Sequence, residues 1–234
     1  MGVETLLYDR AFDDCLERLA GVRGVFEDGL LAGCPNPGWA DRLKLDRVQV
    51  VDPGPLMAER AGGHRADLES LPFAAESFDL CLTVGLLDTA NSLPLAAAAL
   101  HLVLRPGGLL LGAIAGGQSL PRLRRAMLAG DGGQGRAAPH VHPRIEAPSL
   151  ARLLTEAGFI DPVVDIDRVE LSYRSLDGLV RDLRAMGMTN MLAARPRMPV
   201  GRRAFAAARA AFLEGRDRGI EQVEILHFAA WKPA

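Results

Sequence analysis

Short apolar runs that alternate with helical patterns through the first two thirds of the chain constrain the fold more than any other feature. Four runs are rich in leucine or β-branched residues and end in Gly, Asp or Pro, which predicts strands at 25–32, 48–51, 78–84 and 109–115. An alanine-rich segment at 93–104 has a proline in its first turn, which predicts a helix. Repeated βαβ units follow from this alternation, so we expect an α/β fold with a mostly parallel sheet.

The last third of the chain carries a different pattern. It predicts three helices and two late strands, the helices at 149–157, 176–186 and 202–214 and the strands at 162–167 and 223–231. The length of 234 residues suits one large domain. We therefore expect a single domain over residues 1–234, with a helical insertion at about 171–218 before the last strand.

Composition excludes several classes of protein. Hydrophobic residues make up 49% and charged residues 24% of the chain, which excludes disordered and fibrous proteins. The longest apolar stretch, 93–104, is short of the roughly 18 residues that a membrane helix needs, so we expect no membrane span. Basic residues are interleaved with acidic ones, which argues against a nucleic-acid partner.

The three cysteines indicate the redox setting. Cys15, Cys34 and Cys81 have no spacing typical of a disulfide framework or a zinc site. The N-terminal residues lack the basic and then apolar layout of a secretory signal. We therefore expect a reducing, cytoplasmic location and no metal.

A loop after the first strand carries the first candidate site. It runs from Gly33 to Gly38, and Asp52 ends the next strand. In nucleotide-binding crossovers, glycines let the backbone approach the ligand and such a carboxylate accepts hydrogen bonds from ribose hydroxyls. Pro35 and Pro37 each remove an N–H donor from this loop and fix φ. The pattern leaves two interpretations open, a cofactor loop and a tight structural turn.

A series of motifs along the chain resembles class I S-adenosylmethionine (SAM) dependent methyltransferases. The series is Asp67-Leu68, Leu71-Pro72-Phe73, Ser77-Phe78-Asp79, Asn91-Ser92-Leu93-Pro94 and Leu104-Arg105-Pro106-Gly107-Gly108. The resemblance implies a Rossmann-like sheet of seven strands with an antiparallel last strand. It also implies SAM as a possible cofactor, held by Gly33, Gly38, Asp52, Asp67 and Leu68.

Within that superfamily, further blocks are similar to the mitochondrial complex I assembly factor five family and its bacterial homologues. The blocks are Gly116-Gly117, Ser119-Leu120, Leu123-Arg124, Leu153-Leu154, Ala157-Gly158-Phe159, Tyr173, Met186-Gly187, Asn190, Arg195 and Trp231-Lys232. This resemblance implies a protein that uses or binds SAM and acts on a protein substrate. It also implies support for assembly of a respiratory NADH dehydrogenase through arginine hydroxylation.

The chain departs from the family pattern where cofactor and substrate would meet. Leu31 stands in place of an aspartate, Pro35 and Pro37 in place of two glycines, and Asp88-Thr89 in place of a His-Trp pair. The short stretch before the first strand also leaves little room for the helix that covers the cofactor in the family.

These departures favour a degenerate SAM site and a protein that works through a protein partner as an assembly or regulatory factor. Two alternatives remain open, an active SAM-dependent methyltransferase or SAM-using hydroxylase that modifies a protein, and a small-molecule binder that reuses the cleft. Catalytic residues and the oligomeric state stay unassigned.

Several further residues have two interpretations each. His140 and His142 could bind a metal or act as a general base. Alternatively, both could lie in a solvated loop. Cys34 could be a reactive thiol or a small buried residue. Asp88 could serve as a base or cap a helix. A last group could line a substrate cleft or belong to the core: Tyr173, Met186, Met188 and Met191.

Overall fold

Seven strands form one sheet in the order β3-β2-β1-β4-β5-β7-β6. The computed structural model describes residues 6–132, 140–188 and 200–234. The strands are β1 Asp28–Ala32, β2 Arg47–Asp52, β3 His64–Arg65, β4 Phe78–Val84, β5 Leu104–Ala115, β6 Ile160–Tyr173 and β7 Gly219–Trp231. The helices are α1 Leu6–Gly21, α2 Trp39–Arg42, α3 Pro55–Arg60, α4 Leu93–Val103, α5 Pro121–Gly132, α6 Ala147–Glu156, α7 Leu176–Ala185 and α8 Arg202–Leu213.

The sheet is mixed. Strands β3, β2, β1, β4 and β5 pair with their neighbours in parallel. Along β5 and β7 the backbone hydrogen bonds join Gly107 to Lys232 and Gly116 to Glu224, so residue numbers rise along one strand as they fall along the other. Strand β7 is therefore antiparallel to β5. This arrangement confirms the predicted fold class, and α7 and α8 supply the helical segment before the last strand.

Burial follows position in the sheet. Every residue of β1 is buried, and only Asp79 in β4 is not. Strands covered on both faces read as continuous apolar runs, which is why these two are visible in the sequence. No residue of β6, at the edge of the sheet, is fully buried.

The structure corrects several predicted boundaries and adds elements. Strand β6 extends well beyond the predicted 162–167, and β5 begins at Leu104 because the Arg-Pro-Gly-Gly segment belongs to the strand. Helix α5 extends through Gly130 and ends at Gly132. Helices α1 and α5 were not predicted. Within the described residues, no helix is long and apolar enough to cross a membrane.

The chain packs as two compact units. The first contains Met1–Ile114, Glu146–Ile166 and Leu226–Ala234, and the second contains Ala115–Ile145 and Asp167–Ile225. The candidate cofactor residues all belong to the first unit. The single domain over 1–234 and the insertion bounds of 171–218 stay predictions.

Candidate functional site

The first candidate residue, Gly33, lies where β1 leaves the sheet. Parallel strands end at the same edge, and in open α/β sheets ligands bind at the carboxyl ends of the strands. Gly33 has φ of +86°, and a Cβ there would lie 2.8 Å from Leu86 Cβ. Its N–H donates to the Val51 carbonyl at 2.8 Å. Only glycine suits this position, because the loop turns with positive φ while pressed against the chain that follows β4.

Asp52 ends β2 beside this loop. Its carboxylate is largely buried, and it accepts hydrogen bonds from the backbone N–H of Gly54 at 2.7 Å and of Cys34 at 3.4 Å. Burial raises the pKa of Asp52, and the two N–H donors act in the opposite direction. The carboxylate therefore joins the turn after β2 to the loop after β1 and keeps further acceptor positions on its oxygens.

Asp67 and Leu68 follow the short strand β3. In the pairing of β2 with β3, Arg65 lies opposite Asp52, so Asp67 lies two residues farther along the chain at the same edge. Asp67 is exposed, and its carboxylate accepts the N–H of Glu69 at 3.3 Å. The Leu68 side chain is buried. The fold thus brings Gly33, Asp52, Asp67 and Leu68 to one edge of the sheet.

Gly38 has a different role in the structure from Gly33. It is exposed and has φ of −72°, which any residue adopts. Its N–H donates to Asn36 Oδ1 at 3.1 Å, and the next N–H, of Trp39, donates to the Asn36 carbonyl at 3.1 Å. The segment is a closed turn that starts α2, so these two donors are engaged within the chain.

Helix α1 packs against this turn. Asp9 Oδ1 accepts hydrogen bonds from Asn36 Nδ2 at 3.1 Å and from Trp39 Nε1 at 2.9 Å. The Phe12 ring stacks on Trp39 with 4.3 Å between centroids. The ring of Tyr8 lies over Gly85, at the end of β4, where a Cβ would be 2.3 Å from Tyr8 Cε1. The stretch before the first strand therefore forms a helix beside the candidate site, and its role in covering a cofactor stays a prediction.

Comparisons with known proteins identify the family. A profile described as a methyltransferase domain matches residues 30–112. The chain is 36% identical over 171 residues to malonyl-(acyl-carrier protein) O-methyltransferase from Laribacter hongkongensis, covering 72% of this chain and 56% of that protein. It is 37% identical over 232 residues to the mitochondrial arginine-hydroxylase NDUFAF5 of Danio rerio, covering 93% of this chain and 72% of that protein.

The chain belongs to the class I SAM-dependent methyltransferases. Within them it falls in the family of NDUFAF5 and the malonyl-(acyl-carrier protein) O-methyltransferases, as the motif series predicted. The YcgJ protein of Bacillus subtilis shares the fold, with a TM-score of 0.63 at 12% identity over 95% of this chain and 99% of that one. The chain spans little more than half the length of the Laribacter relative, 56%.

The departures from the methyltransferase pattern have local structural roles here. Leu31 is fully buried in β1, next to Val50 on one neighbouring strand and Leu82 on the other. Thr89 lies in a 3₁₀ turn at Leu87–Thr89, and its hydroxyl donates to the Leu86 carbonyl at 2.8 Å. Asp88 lies in the same turn and does not cap α4, whose N-cap is Ser92.

Cys34 is a buried residue of the methyltransferase core, which favours the interpretation as a small buried residue over that as a reactive thiol. Its side chain is fully buried, and its Sγ lies 3.1 Å from the Asn36 carbonyl oxygen. Burial, and to a smaller extent the charge of Asp52, raises the pKa of the Cys34 thiol to about 12. Burial likewise raises the pKa of Cys15 to about 12, and that of Cys81 as well.

We expect the native protein to resist thiol reagents. At pH 8 a thiol with a pKa of about 12 is ionised to only about one part in ten thousand, and burial also blocks access. Titration with Ellman's reagent should give no rapid reaction in buffer and three equivalents in guanidinium chloride, because the chain has three cysteines. One rapid equivalent in buffer, assigned to Cys34 by mass spectrometry, would contradict this interpretation.

The two histidines of the His-x-His pair have different surroundings. His140 Nε2 lies 2.9 Å from Asp131 Oδ2, and His142 is buried, so the solvated-loop interpretation is wrong for His142. Among the described residues, no cluster of three His, Cys, Asp or Glu side chains could hold a metal ion.

The methionines and Tyr173, which could line a cleft or belong to the core, have different locations. Met186 is buried, as expected of a core residue, and Met188 lines a cavity in the second unit. Burial and Asp182 raise the pKa of Tyr173 to about 12. Met191, with Asn190 and Arg195 of the family blocks, lies outside the described residues.

Proposed function

We propose that the chain is a SAM-binding protein with a degenerate site, which grips the adenosine end of the cofactor and holds the methionine end weakly. We further propose that it acts mainly through a protein partner, as an assembly or regulatory factor. The observation that carries the proposal is the closed turn at Asn36, in which Gly38 and Trp39 use their N–H groups internally.

The adenosine end would be held by the carboxylates at the sheet edge. Asp52 would accept hydrogen bonds from the ribose hydroxyls, because its oxygens keep acceptor positions beyond the two N–H groups they already bind. Asp67 is exposed and would accept from the exocyclic amine of adenine. Leu68 would contribute an apolar surface beside the base. Gly33 and Gly38 complete the proposed set, Gly33 by allowing the close turn.

The methionine end would find few donors. A ligand carboxylate is held by backbone N–H groups that face it. Pro35 and Pro37 have no N–H, and Gly38 and Trp39 donate to Asn36. Each missing hydrogen bond is worth about 0.5–1.5 kcal/mol, so two would weaken binding by about 5- to 150-fold.

Two arguments support a role through a protein partner: the relatives, and the weak cofactor binding that we expect. The name of the Laribacter relative places its substrate on an acyl-carrier protein, so a protein-borne substrate occurs within the family. When SAM binds, it supplies an electrophilic methyl group. A site that has lost donors at the methionine end would position that methyl group poorly. The absence of a nucleic-acid partner and a cytoplasmic location stay predictions.

The second candidate function is an active SAM-dependent methyltransferase that modifies a protein. The specific observation in its favour is that Asp52 is buried, hydrogen-bonded at both sides and placed at the end of β2, as a working cofactor site requires. In this case the turn at Asn36 would have to open when the cofactor binds.

Calorimetry on the full chain separates the two candidates. The ligands are SAM, S-adenosylhomocysteine and 5′-methylthioadenosine, which keeps the adenosine and lacks the amino-acid group. We expect SAM to bind more weakly than about 100 μM, and methylthioadenosine to bind within about threefold of S-adenosylhomocysteine. Asp52→Ala should abolish binding, and the control Asp46→Ala, at an exposed position just before β2, should leave it unchanged.

Two results would contradict the proposal. The first is SAM binding tighter than about 100 μM that Asp52→Ala abolishes, together with S-adenosylhomocysteine binding about tenfold or more tighter than methylthioadenosine. This result would establish the working methyltransferase. The second is the absence of a binding heat with any of the three ligands at millimolar concentration, which would contradict the proposal that the chain binds SAM. For the partner part, affinity purification should capture the same proteins with the wild-type chain and with Asp52→Ala.

A further inference from the structure

The second unit contains a cavity of about 790 Å³ that the cofactor residues do not touch. Its lining comes from α5, α7 and α8 and from the residues next to them. The apolar part of the lining consists mainly of Leu120, Leu123, Met127, Val180, Leu183 and Phe205. Cavities of this size with mostly apolar walls and a few polar groups are typical small-molecule sites.

Three arginines contribute the positive charge of the cavity lining. Arg181 and Arg184 lie three residues apart on α7, so they share one side of that helix, while Leu179 and Leu183 are buried. Arg202 lies in the first turn of α8. Among the described residues, none of the three forms an ion pair with an acidic side chain.

The acid in the lining does not balance this charge. Asp177 receives two hydrogen bonds from Arg209, at 2.8 Å and 2.5 Å. The Arg209 guanidinium, and to a smaller extent the charge of Arg181, lowers the pKa of Asp177. Arg209 itself lies over the Phe205 ring, 4.7 Å from its centroid. The cavity therefore combines an apolar body with a net positive rim, because three arginines line it against one carboxylate that Arg209 already binds.

We propose that this cavity binds an amphipathic carboxylate, an alkyl chain of medium length whose carboxylate pairs with the arginines. The alkyl chain would be removed from water by the apolar walls. Guanidinium groups bind carboxylates through two parallel hydrogen bonds, and two or three arginines at one rim favour an anion over a neutral head group. The proposal does not depend on cofactor binding, since every lining residue belongs to the second unit.

Calorimetry with decanoate, below its micelle concentration, tests the proposal on the full chain. We expect decanoate to bind, while decanol, which lacks the charge, and malonate, which lacks the chain, bind at least about tenfold more weakly. Decyltrimethylammonium, which has the opposite charge, should give no heat of binding. Equal affinity for decanol and decanoate would overturn the role of the arginines, and no decanoate binding would overturn the site.

Matched variants locate the site. The double variant Arg181→Gln with Arg184→Gln should weaken decanoate binding by about tenfold or more. The control double variant Arg203→Gln with Arg216→Gln removes the same charge from exposed positions outside the lining and should leave affinity unchanged. An equal loss in both double variants would reduce the effect to general surface charge and overturn the proposal.

A third variant separates the cavity from its rim. Val180→Trp places a bulky ring in the apolar wall and should weaken decanoate binding with all three arginines present. If Val180→Trp fails to fold, as judged by circular dichroism, the arginine variants decide alone, because Arg181 and Arg184 are exposed and their replacement should not disturb packing. Undiminished decanoate binding by folded Val180→Trp would place the ligand elsewhere.

Discussion

Replacing Pro35 and Pro37 together with glycine should tighten SAM binding by about 5- to 150-fold. Each replacement restores one backbone N–H, worth about 0.5–1.5 kcal/mol when it meets an acceptor, and two such bonds give this range. Glycine also permits the φ values that proline forbids, so the loop could present its backbone to the ligand. Calorimetry with SAM and S-adenosylhomocysteine, on the wild type and on the variant, measures the change.

The control for this variant is Pro143→Gly, which makes the same replacement at an exposed position in the second unit. It should leave SAM affinity unchanged. The gain in the double variant should also be larger for S-adenosylhomocysteine than for methylthioadenosine, because only the former has an amino-acid group for the new donors. An unchanged affinity would show that loop donors do not limit binding, and would leave the engagement of α1 with the turn as the cause of any weakness.

Glu221→Ala should lower the free energy of unfolding by about 3–5 kcal/mol. The Glu221 side chain is fully buried, and its carboxylate accepts backbone N–H groups from Arg122 at 3.1 Å, Leu123 at 2.7 Å and Gln222 at 3.0 Å. Arg122 and Leu123 lie in the first turn of α5, so Glu221 caps that helix from β7. Alanine would leave these donors buried and unpaired.

Urea unfolding followed by circular dichroism measures this loss. Burial raises the pKa of Glu221, and the N–H donors oppose that effect. The expected cost of the alanine variant comes from the three N–H donors that it leaves unpaired. Glu221→Gln keeps one acceptor oxygen and should cost less than alanine. The control Glu170→Ala, at an exposed position of β6, should change stability by less than about 0.5 kcal/mol. A loss below about 1 kcal/mol for Glu221→Ala would contradict the capping role.

Local sequence patterns were sufficient to predict strands that are buried along their whole length and helices whose N-cap residue precedes them in the sequence. Strand β4 at Phe78–Val84 agrees with its predicted bounds, because a strand covered on both faces needs an unbroken apolar run. Helix α4 was visible from Ser92, whose hydroxyl oxygen accepts the Leu95 N–H at 3.4 Å, and from the proline that follows. The motif series led to the family, which the relatives confirm.

Strand β3, helix α1 and the cavity in the second unit were not predicted, for different reasons. Strand β3 has only two residues, too few for any period, and exists because it pairs with the end of β2. Helix α1 has its buried residues Leu7, Ala11, Phe12 and Cys15 at helical spacing, a signal that a search for 3.6-residue periodicity would have found. The cavity in the second unit has no local signal, since residues of α5 and α8 far apart in sequence form its walls.

The sequence by itself determined the fold class, the family and the loss of two donors at Pro35 and Pro37, because proline's missing N–H is a property of the residue alone. Only the tertiary structure decided what the remaining donors do. Gly38 and Trp39 donate to Asn36, and Asp9, far away in sequence, holds that turn from α1. The order of strands and the packing of α1 bring these groups together, and no local propensity encodes either of them.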